Sequence, residues 1–236
     1  MQHAPNKKRD NKNSRIFFLS IFLLLLIHVA GGIGMIYFDT SLFAKATPIN
    51  LLVMFFLILW NQEDLNNKFY LAILIAFLIG FLSEVAGVNG GFLFGHYSYG
   101  NILGFKLMRV PVLISLNWFA VVYSSYVSAS LMLRFLGYDI SNSAVVKLQS
   151  LIVQCLLAAT IATFFDWLME PTAVQLGFWA WENEIIPLFN FVSWFGISFF
   201  ISVVFACFRL SNSNRFAPIL LVVQSIFFLF LRIFLK

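Results

Sequence analysis

The sequence predicts an all-α fold, a polytopic integral membrane bundle of about seven transmembrane helices. Three observations carry this. Of 236 residues, 61% are hydrophobic and 11% charged, where a soluble domain carries about a quarter charged residues. Mean hydropathy is +0.91. Uncharged apolar runs also recur at the length a bilayer demands, about 20 residues each. Such a chain excludes a soluble globular enzyme, a disordered segment and a nucleic-acid binder that works through phosphate contacts.

In order, the runs fall at 16–38, 46–62, 69–83, 110–133, 148–165, 185–208 and 216–231. Residues 1–15 form a basic cytoplasmic tail, and 16–236 a single transmembrane bundle. The first run has the charged flank of a signal peptide, but at 23 uncharged residues it reads as an uncleaved signal-anchor. The third is short and reaches full length only if Glu84 and its successors enter the membrane zone. Cys155 and Cys207 lie in apolar stretches and imply no disulfide framework. With the N-terminus inside, ten Lys and Arg fall on the cytoplasmic side and five on the other, the asymmetry that orients a multi-pass protein. The expected location is the bacterial inner membrane.

The connections 84–109 and 166–184 are separated by two spans, so they open on one face. That face holds Glu84, Asp166, Glu170, Glu182 and Glu184, five of the ten carboxylates. In the first segment six of the thirteen glycines fall between Gly87 and Gly104, which predicts a tightly turning segment packed on the bundle. Tyr97 and Tyr99 are either an interfacial aromatic belt or part of a site. Glu84 ends an apolar run. It is either a helix-end glutamate reaching water or a buried carboxyl that must be neutral or partnered, and a neutral one can donate a proton. Asn117, beside Trp118, is either helix–helix glue or a water-positioning amide.

In the second segment Asp166 and Glu170 are four apart, on one helical face. Pro171 disfavours helix at Glu170, so the span is expected to end there with both acids at its mouth. They are a membrane-edge acidic cluster or a coupled acid–base pair. Trp179 and Trp181 are an interfacial belt or π-faces for a developing cation. Asn190 and Trp194 repeat the amide–indole pattern at the start of the sixth span.

Together, E-V-A-G-V-N-G-G-F-L-F-G-H-Y-S-Y-G-N-x-L-G…V-P…N-W and D-x-x-x-E-P-x-A-V-Q-L-G-F-W-x-W…P-L-x-N-F-x-x-W resemble the membrane carotenoid biosynthesis protein family. That family includes the CruF-type carotenoid 1',2'-hydratases and the bisanhydrobacterioruberin hydratases. The resemblance covers about residues 70–200 and departs at Asn89, at Ser193 and across 182–187. It carries over Glu84, Gly87, Gly95, Tyr97, Tyr99, Pro111, Asn117 and Trp118 from the first block. From the second come Asp166, Pro171, Trp179, Trp181, Asn190 and Trp194.

The resemblance implies addition of water to the terminal double bond of an acyclic carotenoid end, with no redox cofactor and no metal. The substrate would be an acyclic or monocyclic carotenoid lying among membrane lipids, with other carotenoid enzymes as partners. In that chemistry Asp166 or Glu84 is the acid, with the other, Glu170 and Asn117 positioning water. Tyr97, Tyr99, Trp118, Trp179, Trp181, Asn190 and Trp194 bind substrate. Three rivals stand beside it. A prenyl-transferring enzyme lacks its second aspartate-rich motif here. A carotenoid- or lipid-binding scaffold of the same pathway would not need the two acids. A small-solute transporter would be expected to show inverted repeats.

Overall fold

The computed structural model describes residues 7–138 and 144–235, and the side chains of 13–138 and 148–235. Among the described residues seven segments are long and apolar enough to cross a membrane. Helix α1 (Lys7–Tyr37) begins inside the basic tail. The short α2 (Thr40–Ala44) and α3 (Thr47–Trp60) together make the second crossing. Asp39 caps α2 by accepting the Leu42 N–H at 2.9 Å, and Pro48 enters α3 in its first turn, where a missing N–H is harmless.

Helix α4 (Asn67–Gly90) is capped by the Asn66 side chain and ends at Gly91, whose φ of +61° turns the chain away. The short third run is therefore a 24-residue helix, and Glu84 lies within it rather than at its end. Next come β1 (Tyr97–Tyr99), β2 (Lys106–Leu107) and β3 (Val110–Pro111). The remaining elements are α5 (Leu113–Phe135), α6 (Ala144–Gln175), β4 (Trp179–Trp181), α7 (Leu188–Cys207) and α8 (Phe216–Phe234).

Helix α6 overturns one expectation. It runs on through Pro171 to Gln175, so Asp166 and Glu170 stand inside a continuous helix and not at its mouth. Proline there costs the hydrogen bond to the Trp167 carbonyl and nothing more that neighbouring helices cannot support. Packing of α6 against α5, α7 and α8 supplies that support.

Helix α5 sits at the centre, with 72% of its spanning window buried against 22–39% for the other spans. It is also the least apolar span, because its Ser, Tyr and Trp side chains face protein on every side. Polar groups inside a membrane are kept where the bundle, not lipid, surrounds them. Outward positions such as Phe22, Phe56, Leu82 and Ile226 are exposed and apolar, as a lipid-facing surface requires.

The two polar connections fold into one another. β1 pairs antiparallel with β4 in the register Tyr97↔Trp181, Ser98↔Ala180, Tyr99↔Trp179. The flanking bonds, Gly100 N–H to Phe178 O at 2.8 Å and Glu182 N–H to His96 O at 2.9 Å, make Tyr97–Trp181 and Tyr99–Trp179 non-hydrogen-bonded pairs. Such pairs bring side chains closest together. A second hairpin, β2–β3, is tied to this ribbon by Lys106 Nζ donating to the Tyr99 carbonyl at 2.7 Å.

Candidate active site

Because side chains alternate along a strand, Ser98 and Ala180 face outward while Tyr97, Tyr99, Trp179 and Trp181 point into the bundle. Below the ribbon they meet three carboxylates. Glu84, on α4, is 4% exposed. Its Oε2 accepts the hydroxyls of Tyr97 and, at 2.7 Å, Tyr99, and its Oε1 accepts the Trp118 indole N–H at 2.9 Å. Glu170 Oε1 accepts the indole N–H groups of Trp181 and, at 2.8 Å, Trp179. Asp166 Oδ2 accepts the Asn190 amide at 2.9 Å. Its Oδ1 is buried with no protein partner among the described residues.

Burial first, and then the charge of Glu84, push the phenol pKa values of Tyr97 and Tyr99 above the ordinary tyrosine range. Both phenols therefore stay protonated and remain donors to Glu84.

These groups line a small chamber of about 20 Å³ open to the centre of a water molecule, room for about one water. Glu84, Asp166, Glu170, Asn117, Tyr97, Tyr99, Trp179, Trp181, Asn190 and Trp194 all border it. Trp118 stands just behind, stacked on Trp194 with ring centroids 3.8 Å apart. Of the two readings open for Tyr97, Tyr99, Trp179 and Trp181, an interfacial belt or part of a site, their position around the buried carboxylates fits a cage and not a belt. Asn117 makes no side-chain hydrogen bond among the described residues and borders the chamber. Trp167, by contrast, lies outside, half-exposed under Arg232 at 5.5 Å.

Two glycines make the approach possible. A Cβ at Gly80 would meet Trp118 Cγ at 2.6 Å, and one at Gly87 would meet Phe94 Cδ2 at 2.7 Å and Tyr97 Oη at 3.0 Å. With Glu84 between them, they form the face of α4 on which the cage closes.

Beside the chamber is a larger cavity of about 350 Å³, within the range of small-molecule pockets. Ile114, Asn117, Met169 and Trp179 border both spaces. The larger one is lined mainly by apolar side chains of α1, α3, α5, α6 and α8. Sequence reasoning did not single out Ile114, Met169 or Phe94. Ile114 is one apolar residue among many in an apolar run, and Met169 and Phe94 sit in the two connections with no polar atom to mark them, so only the fold shows that they face a void.

The seven membrane-length segments among the described residues, with an apolar cavity set against buried acids, define a multi-pass membrane protein. The family described as carotenoid biosynthesis protein matches residues 46–235, most of the sequence, and the chain belongs to that family. A curated relative, the bisanhydrobacterioruberin hydratase of Haloarcula japonica, is 31% identical over 125 residues. That alignment covers 52% of this chain and 38% of the relative's own length. No solved structure matches the chain.

Proposed function

We propose that this protein is a hydro-lyase that hydrates the C1',2' double bond at an acyclic carotenoid end, of lycopene or γ-carotene type, to a tertiary alcohol. The observation that carries this reading is the wall shared by the two spaces. An apolar chain in the larger cavity presents its end, past Asn117 and Trp179, to a chamber with room for about one water among three carboxyl groups. The name of the Haloarcula relative points the same way.

Asp166 is the acid in this reading. Both oxygens of Glu84 already accept donors, whereas Asp166 Oδ1 is free to carry a proton. An alkene is a weak base, and a carboxylic acid in an apolar site is the donor such a step needs. The proton passes from Oδ1 to C2', leaving a tertiary cation at C1'. Aromatic faces of Trp194, Tyr97 and Phe94 stabilise that charge without capturing it. The enclosed water, held by Asn117 and Glu170, attacks C1', and the proton it sheds returns to the carboxyl group of Asp166. One water is added across one C=C bond and no atom changes hands with an oxidant, so the balance needs no redox cofactor.

The same reading sets the protein in the cytoplasmic membrane with its N-terminal tail inside and the ribbon face outside. The test is a lycopene- or γ-carotene-producing host expressing the chain. Its extracts should gain a product heavier by one water. Asp166→Asn and Glu84→Gln should each abolish that product while the protein still accumulates. No hydrated product from the wild type, or full product from both variants, overturns the proposal.

A further inference from the structure

The larger cavity lies among the membrane-spanning segments and is not sealed. Three of the side chains that line it are exposed: Ala30 on α1, Ala46 between α2 and α3, and Ile49 on α3, the last at 66%. Its other lining residues are buried or half-buried. The three exposed positions all belong to the seam between the first two crossings, which run antiparallel. A Cβ at Gly34 would fall on the Phe43 ring, so positions 34 and 43 meet across that seam at its ribbon end. About one turn further from the ribbon, Ala30 and Ala46 border the same gap, and neither brings bulk to fill it. The seam on the other flank of α1 is closely packed. There Cβ atoms at Gly31 and Gly32 would stand 3.8 Å from Phe227 Cε2 and 3.4 Å from Phe230 Cε1. Lys45 is exposed beside Ala46. A lysine there keeps its charge at the headgroups and its stem along apolar surface, so the gap opens just below headgroup level.

Length decides what passes through the gap. The lining positions on α6 run from Phe165 to Leu176, about 16 Å of helix at about 1.5 Å per residue. An extended chain advances about 1.2 Å per bond, so an acyclic C40 polyene of about thirty bonds is roughly 36 Å long. With one end at the chamber, such a chain must leave the cavity with about half its length. Buried walls block the way toward the ribbon, α6 and α8. Among the described residues the exposed positions mark the side open to lipid.

We propose that the gap between Ala30, Ala46 and Ile49 is a lateral window, through which the substrate enters from the bilayer end first and in which its unreacted remainder stays during the reaction. Phe43, seated on Gly34, forms the edge nearer the ribbon, and the two alanines set the width. The ligand class is a slender apolar chain longer than the cavity, drawn from the leaflet on the ribbon side. This rests on the hydration reading only for the length of the substrate. Ala30 lies on α1, before the residues matched by the family, while Ala46 and Ile49 lie within them. One jamb of the window thus comes from outside the matched region.

The experiment is binding, which needs no turnover. The full chain in lipid nanodiscs is titrated with an acyclic C40 polyene and, separately, with a C20 polyene of the same end group, about fifteen bonds and roughly 18 Å long. Quenching of tryptophan fluorescence reports the bound probe. Ala30→Phe and, separately, Ala46→Phe should each weaken binding of the C40 probe about tenfold, the effect of forcing a ring into an occupied gap. Both should leave the C20 probe within about twofold of wild type, which also shows that the cavity behind the window is intact. Val29→Phe, at a neighbouring position that is 57% exposed and does not line the cavity, should change neither. C40 binding untouched by both alanine variants overturns the window and would fit an acyl chain of a lipid lodged there instead. Equal weakening of the two probes, or no binding of the C40 probe to the wild type, overturns it as well. If hydrated product forms but the variants do not separate the probes, the window fails alone. If they separate the probes and no product forms, it is the hydration reading that fails.

Discussion

At the scale of single residues, the cage works because each indole or phenol has a polar edge and an apolar body. Tyr99→Phe removes the 2.7 Å bond to Glu84 and leaves a buried oxygen under-satisfied. The expected cost is about 1–3 kcal/mol of stability, read as a lower melting temperature in detergent, together with a loss of hydrated product. Alkaline pH offers a cleaner signature. The phenols of Tyr97 and Tyr99 are held above their ordinary range, and an unfolded tyrosine ionises near pH 10. Their contribution to stability is thus whole below about pH 10 and is lost as pH climbs above it, because only the unfolded chain ionises there. A melting temperature that falls more steeply above about pH 10 in the wild type than in the Tyr97→Phe, Tyr99→Phe double variant is the expected result. Equal slopes would show that the two phenols ionise freely. The acids and amides of the cage were legible in the sequence because polar residues at membrane depth are few and each demands a reason. What they bond to was not legible. Trp179 and Trp181 invite a reading as π-faces, yet their N–H groups hold Glu170.

At the scale of elements, the strands were invisible. β1 and β4 are three residues each and pair across some eighty residues of chain, so no local pattern announces them. The glycine density around them did signal close packing, and Gly87 gives that signal a measurable form. A methyl group there would overlap Phe94 and crowd the Tyr97 hydroxyl. Gly87→Ala should therefore cost about 1–3 kcal/mol and lower product formation. Gly90→Ala on the same helix, whose Cβ would meet nothing closer than 3.9 Å, should leave product formation near wild type. Alanine only raises helix propensity at both positions, so similar losses in both would show that the effect does not arise from the contact with Phe94 and Tyr97. Pro171 shows where local rules yield to packing. The prolyl bias against helix at Glu170 is real, but a helix held on three sides by its neighbours does not stop for it.

At the scale of the whole molecule, the even spacing of the spans places the ribbon. Two crossings separate the 91–112 connection from the 176–187 connection, and the β1–β4 pairing joins them on one face. The Gln62, Tyr123 and Asn214 network closes the opposite end. There Tyr123 Oη donates to Gln62 Oε1 at 2.5 Å, and Asn214 bonds both Gln62 and the first turn of α8. Which end faces the cytoplasm depends on the basic tail, since Lys and Arg outside it divide five to five. An inside tail puts the ribbon, and the carboxylate chamber beneath it, at the outer leaflet. Two exposed positions read this directly. In a Cys207→Ser background, where the remaining Cys155 is buried, Ser98→Cys lies on the outward face of the ribbon and Asp64→Cys on the opposite connection. A membrane-impermeant maleimide applied to intact cells should label Ser98→Cys and spare Asp64→Cys until the cells are broken. The reverse pattern would move the chamber to the inner leaflet, and the proposed carotenoid substrate would then have to reach it from the cytoplasmic half of the bilayer.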